Sequence, residues 1–136
     1  MNASVRTLCH VSLAALALSA SIARRLAAAP LPRQVGQCTT TTVAHVGVRL
    51  FDPRHPKIRP NATLGSAVDF ANGGHLVSFG YVRSIAQSLR GDPVRVCLVQ
   101  VYRGCQRTEV PSLLYRTTNQ RTHKSWTLWD AGHLCG

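Results

Sequence analysis

The chain has 136 residues, 45% of them hydrophobic, and 16 Lys and Arg against five Asp and Glu give it a net charge of +11. Its length allows one domain with a single core, near the size where crosslinks help. Five scattered acids show no carboxylate pair of the kind glycoside hydrolysis needs, and no segment has the apolar length of a transmembrane helix.

Residues 1–29 read as an export signal. Arg6 gives a short positive start, and residues 11–20 (VSLAALALSA) form an apolar run of signal-core length, too short to span a bilayer. Ser21-Ile22-Ala23 offers cleavage after Ala23, and Ala27-Ala28-Ala29 offers it after Ala29. The competing reading, a buried helix of the mature domain, is disfavoured because alanine-rich sequence packs poorly as a unique core. Cleavage after Ala29 removes three arginines. The remaining 107 residues keep 13 basic side chains against all five acids, net +8.

Residues 30–37 lack periodicity and read as a flexible lead-in to one domain over 38–136. Residues 39–50 alternate, with Ala44, Val46, Val48 and Leu50 on one side and Val43, His45, Gly47 and Arg49 on the other, which predicts a half-buried strand. Residues 52–60 (DPRHPKIRP) carry three prolines and read as a solvated loop. Residues 66–71 alternate again and run into Asn72-Gly73-Gly74. Residues 75–81 follow, with Val77, Phe79 and Tyr81 on one face. This predicts a hairpin whose turn uses residues that tolerate positive φ. Val82, Ile85, Ala86 and Leu89 have helical spacing, stopped at Gly91. Residues 94–101 then alternate, with Val94, Val96 and Leu98 opposed to Arg95, Cys97 and Val99. Residues 113–118 and 125–129 form a second predicted hairpin around residues 119–124. These elements add up to an all-β domain, a small antiparallel barrel or sandwich with one short helix.

Cys9 falls within the signal. Cys38, Cys97, Cys105 and Cys135 remain, an even number in a chain bound for an oxidising compartment, and predict two disulfides. Three connectivities are open. The preferred one joins Cys97 to Cys105 across a turn at Arg103 and Gly104, and Cys38 to Cys135. No C-x-x-C arm is present, and His133 and Cys135 are the one close His/Cys pair, so no metal is expected.

Three blocks carry a resemblance: GSAVDFANGGHLVSF (65–79), GDPVRVCLV (91–99) and LYRTTNQRTHKSWTLWDAGHLCG (114–136). In that order they are similar to a group of short bacterial exported proteins. Those proteins share an Asn-Gly-Gly hairpin, a Gly-Asp-x-Val-x-x-Cys-Leu-Val strand and a C-terminal Trp-Thr-Leu to His-x-Cys-Gly block. The resemblance covers most of residues 38–136. It implies export and a single fold, and it brings no activity with it. Where similar proteins have an acidic Pro-Pro-Gly-Asp-Asp-Arg-Gly loop, this chain has residues 106–113 (QRTEVPSL) with Glu109 as the one acid. Trp129 replaces a usual proline and Gln120 a usual leucine.

Catalytic constellations are thin. Asp52, Asp69, Asp92, Glu109 and Asp130 mostly fall at turns, where aspartate bonds local backbone. His133 near Asp130 is the one acid/base pair worth keeping, as a small-hydrolase alternative. His45, His75, His123 and His133 are too scattered to read as a ligand set, and Gly73-Gly74 reads as a turn rather than a phosphate cradle. The sequon Asn61-Ala62-Thr63 reads as incidental.

The basic residues say more. Arg54, Lys57 and Arg59 cluster in one loop, and Arg116, Arg121 and Lys124 in the second hairpin beside Trp126. Cations interleaved with aromatics suit phosphates and sugar rings. The bland reading is an arginine-rich surface with a tryptophan in the core. The sequence therefore points to a periplasmic or secreted β domain without a cofactor. Its expected partners are anionic polysaccharide or lipid headgroups rather than nucleic acid. The alternative is a protein–protein module such as an inhibitor of a periplasmic hydrolase.

Overall fold

In the computed structural model, described over residues 29–50, 58–105, 110–130 and 135, the chain forms six strands. They are β1 (Cys38–Gly47), β2 (Ser66–Phe70), β3 (His75–Ser78), β4 (Pro93–Tyr102), β5 (Ser112–Asn119) and β6 (Ser125–Trp129). A single helical turn, α1 (Arg83–Ala86), lies between β3 and β4. Every pairing is antiparallel, in the order β3-β2-β1-β4-β5-β6, and the sheet curls into a half-barrel whose edge strands β3 and β6 approach one another. No helix among the described residues is long and apolar enough to cross a membrane.

Strand β1 turns the corner. Its first half, Cys38 to Thr42, pairs with β4, and its second half, Val43 to Gly47, pairs with β2. At the changeover Ala44 is an extra residue between the pairs Val43 to Phe70 and His45 to Asp69. Val99 is a second extra residue, between Leu98 to Tyr115 and Gln100 to Leu114. Each bulge bends and twists its strand, and together they help give the sheet its curl. The first one also resets the alternation. Val43 and Val46, expected on opposite faces, are both in the core.

That core joins Val43, Val46, Val68, Phe70 and Leu76 to Val94, Val96, Leu98, Leu113, Tyr115 and Trp126, with Ile85 of α1 across it. In β3 the buried side chain is Leu76, while Phe79 and Tyr81 lie beyond the strand and are exposed. The expected face of Val77, Phe79 and Tyr81 is therefore not the core face. The helix is shorter than its spacing predicts, because Leu89 is exposed, but Gly91 does adopt a positive φ of 90°.

Both hairpins form where expected. In the first, Gly73 N–H donates to Phe70 O and Phe70 N–H to Gly74 O, with Gly73 at φ 84°. This is a three-residue loop in which glycine takes the left-handed position. Residues 30–37, expected as a flexible lead-in, are docked. Leu31 packs on the core, Pro32 is buried, and Pro32 O accepts the Tyr115 hydroxyl at 3.0 Å. A buried phenol needs an acceptor, and this segment supplies one.

Two disulfides form, but not in the preferred pairing. Cys38 bonds Cys97 and Cys105 bonds Cys135. Cys97 could not reach Cys105, because β4 runs on without a turn to Tyr102, carrying the chain about 16 Å further along. Cys38 instead lies directly opposite Cys97, with the neighbouring Leu98 N–H donating to Gln37 O. That places the cysteines at a non-hydrogen-bonded pair, where side chains of adjacent strands come closest.

Candidate functional site

The expected basic cluster separates into structural and surface parts. Arg54 and Lys57 lie outside the described residues, as does His133. Trp126 is 5% exposed and faces the core from β6, so its ring is not offered to a ligand. That corrects its assignment as a binding residue, and the cause is register: Trp126 pairs with Thr117, on the inner face.

Arg121 is also a structural residue. Its Nε donates to Asp92 Oδ1 at 2.6 Å and its Nη2 to Asp92 Oδ2 at 2.9 Å and to Gln87 O. Asp92, 5% exposed, further accepts Asn119 Nδ2 and the Leu89 N–H. Asn119 in turn donates to Ser88 Oγ and accepts the backbone N–H groups of Arg121 and Thr122. The Arg121 hydrogen bond, aided by those of Asn119 and Leu89, outweighs burial and holds the Asp92 carboxyl well below the usual carboxylate range. Arg59 plays a similar part, donating through Nη2 to Ala86 O. Two arginines thus satisfy carbonyls that the end of α1 leaves without helical partners.

Arg116 and Lys124 remain as exposed cations, and the fold adds a residue that the sequence reading left out. On the outer face of the sheet Arg95 stands between Thr40 and Thr118, and Thr118 is opposite Ser125. One register further, Arg116 stands between Cys97 and Thr127. The two arginines are diagonal neighbours on a face of hydroxyl groups, and neither has an ion pair with a described acid. The signal for Arg95 was present in its alternation against Val94 and Val96. What hid it was that the register of β4 against β5 cannot be read from either strand alone.

A second feature lies on the other half of the sheet. His45, Asp69 and His75 are opposite one another on β1, β2 and β3. Asp69 Oδ1 meets His75 Nδ1 at 2.5 Å, and Asp69 Oδ2 lies 3.4 Å from His45 Nδ1. These histidines looked scattered because β1 and β2, which bring His45 beside Asp69, are far apart in sequence. His75 also borders a pocket of about 280 Å³ lined by Leu31, Arg33, Asn72, Gly74, Tyr115 and Asp130, among others. Asp130, kept as the partner of His133, accepts the Leu113 N–H at 3.1 Å. Burial raises the Tyr115 hydroxyl's pKa, with Arg33 opposing the shift and Asp130 adding to it. No group of metal-ligating side chains is assembled among the described residues.

No family model, no curated protein and no solved structure matches this chain.

Proposed function

We propose that the chain is an exported, disulfide-braced β domain that binds anionic envelope polymers, polysaccharide or lipid headgroups, through the outer face of β4 and β5. The observation that carries this reading is the pair Arg95 and Arg116. They stand on a face of threonine and serine hydroxyls, with Lys124 in the adjoining turn. A guanidinium presents a planar fork of donors suited to carboxylate and phosphate, and hydroxyls beside it add neutral donors for sugar oxygens. The described acids are engaged elsewhere: Asp92 in the Arg121 cluster, Asp69 between two histidines, and Asp130 at the pocket. Two disulfides suit an oxidising compartment, which agrees with the signal-like first 29 residues.

The test is retention on an immobilised acidic polysaccharide and on vesicles rich in anionic lipid. Arg95→Gln with Arg116→Gln should move elution to markedly lower salt, while Arg83→Gln with Arg90→Gln, off this face but equal in charge, should move it less. Equal shifts for the two double variants would show net charge alone at work and remove the site.

A further inference from the structure

The pocket beside His75 is independent of the basic face and has its own chemistry. Its walls are anchored. Leu31 packs on the core and Pro32 O holds the Tyr115 hydroxyl. The turn at Gly74 comes so close to Leu31 that an added Cβ would lie 2.8 Å from its side chain. Arg33, directly after Pro32, is therefore carried on a fixed stretch of backbone.

Both signs of charge face this pocket without meeting. Arg33 and Asp130 both line it and both act on the Tyr115 hydroxyl, yet they form no ion pair. Among the three described acids, Asp69 and Asp92 each have a basic side chain alongside, whereas the partner of Asp130 among the described residues is the Leu113 N–H. The pocket lining thus holds a carboxylate and a guanidinium that are not paired with each other. His75 adds a ring oriented by Asp69 through Nδ1, which leaves Nε2 as its other polar atom.

We propose that this pocket binds a small zwitterion, an α-amino acid or a dipeptide, with Arg33 on the carboxylate and Asp130 on the ammonium group. A simple anion would gain Arg33 and meet repulsion from Asp130. A simple cation would suffer the reverse. A molecule carrying both charges satisfies both walls, and about 280 Å³ is at the lower end of ligand pockets, which limits it to something small.

The experiment is a titration followed by the amide signals of Gly73, Gly74 and His75, with alanine and alanyl-alanine as probes and acetate and methylamine as half-ligands. The dipeptide should shift these signals in the millimolar range, and each half-ligand should bind about tenfold more weakly, the loss expected for one charged hydrogen bond. Arg33→Gln and Asp130→Asn should each weaken the dipeptide by a similar factor. The second variant keeps a carbonyl oxygen for the Leu113 N–H, so a melting curve should confirm that both remain folded. No shift with tens of millimolar dipeptide would overturn the proposal. So would acetate binding as well as the dipeptide with Asp130→Asn having no effect, since that describes an anion site only. Either failure leaves the basic face untouched, because neither Arg95 nor Arg116 lines the pocket.

Discussion

Asp92 shows how one carboxylate can carry a local fold. It receives hydrogen bonds from Arg121, Asn119 and Leu89, and so ties the segment after α1 to the β5–β6 turn. Asp92→Ala should cost about 3 kcal/mol, because it leaves several buried donors without acceptors. The same site sets an acid limit on stability. A carboxyl whose folded pKa is depressed contributes fully above the unfolded value of about 4, and that contribution drains away as pH falls below it. Melting temperatures followed from about pH 6 down to about pH 2, on either side of the usual carboxylate value, should fall more steeply for the native chain than for Asp92→Asn. Parallel curves would assign acid sensitivity to other groups. Trp126 gives a contrasting case. Its Nε1 finds no hydrogen-bond partner among the described residues, and neither does Thr117 Oγ1. Trp126→Phe should therefore be mild, whereas Trp126→Ala should cost roughly 3–5 kcal/mol as a cavity. Thr117→Val should be neutral or stabilising in urea unfolding, since it removes a buried hydroxyl that gains nothing.

Among the strands and turns, what could be read in advance was what repeats locally. The two hairpins were visible because alternation is a property of neighbours in sequence, and Asn72-Gly73-Gly74 marks a turn wherever it occurs. The inner face of β4 was visible for the same reason: Val94, Val96 and Leu98 are the buried side chains. The bulges were not visible. One extra residue at Ala44 or Val99 leaves composition unchanged while it shifts every later side chain to the other face. The disulfide pairing, the burial of Trp126 and the capture of Arg121 by Asp92 were hidden by the same cause, since each depends on which strand lies beside which. The basic cluster was thus partly legible: Arg116 and Lys124 stand on the surface, while Arg59 and Arg121 serve the end of α1. The Cys38–Cys97 bond pins the first half of β1 to β4 just before the strand departs for β2. It closes a loop with a sequence separation of 59, for which the chain-entropy model gives roughly 4 kcal/mol. Cys38→Ser with Cys97→Ser should lower stability by about 2–4 kcal/mol in denaturant, allowing for structure left in the unfolded chain. A negligible change would mean that register alone fixes this corner.

For the molecule as a whole, the excess of positive charge is a cost the fold bears in exchange for its surface. The described residues hold three acids, and only Asp92 among them pairs with an arginine. Exposed cations such as Arg83, Arg90, Arg95, Arg103, Arg116 and Lys124 have no ion pair with a described acid. Compacting like charges opposes folding, and dissolved salt screens that repulsion over about 8–10 Å at physiological strength. The Asp92–Arg121 bridge is screened less, because its acidic half is buried. Salt should then remove more repulsion than attraction, and the melting temperature should rise as sodium chloride is added to a dilute buffer near neutral pH. A polyanion should achieve the same rise at far lower concentration, because it brings many charges to one face and releases bound counterions as it does so. If the outer face of β4 and β5 is where it binds, Arg95→Gln with Arg116→Gln should abolish most of the polyanion's effect while leaving that of simple salt nearly intact. A melting temperature that falls with sodium chloride would show the native ion pairs outweighing the repulsion. A polyanion effect unchanged in the double variant would place the binding surface elsewhere on the chain.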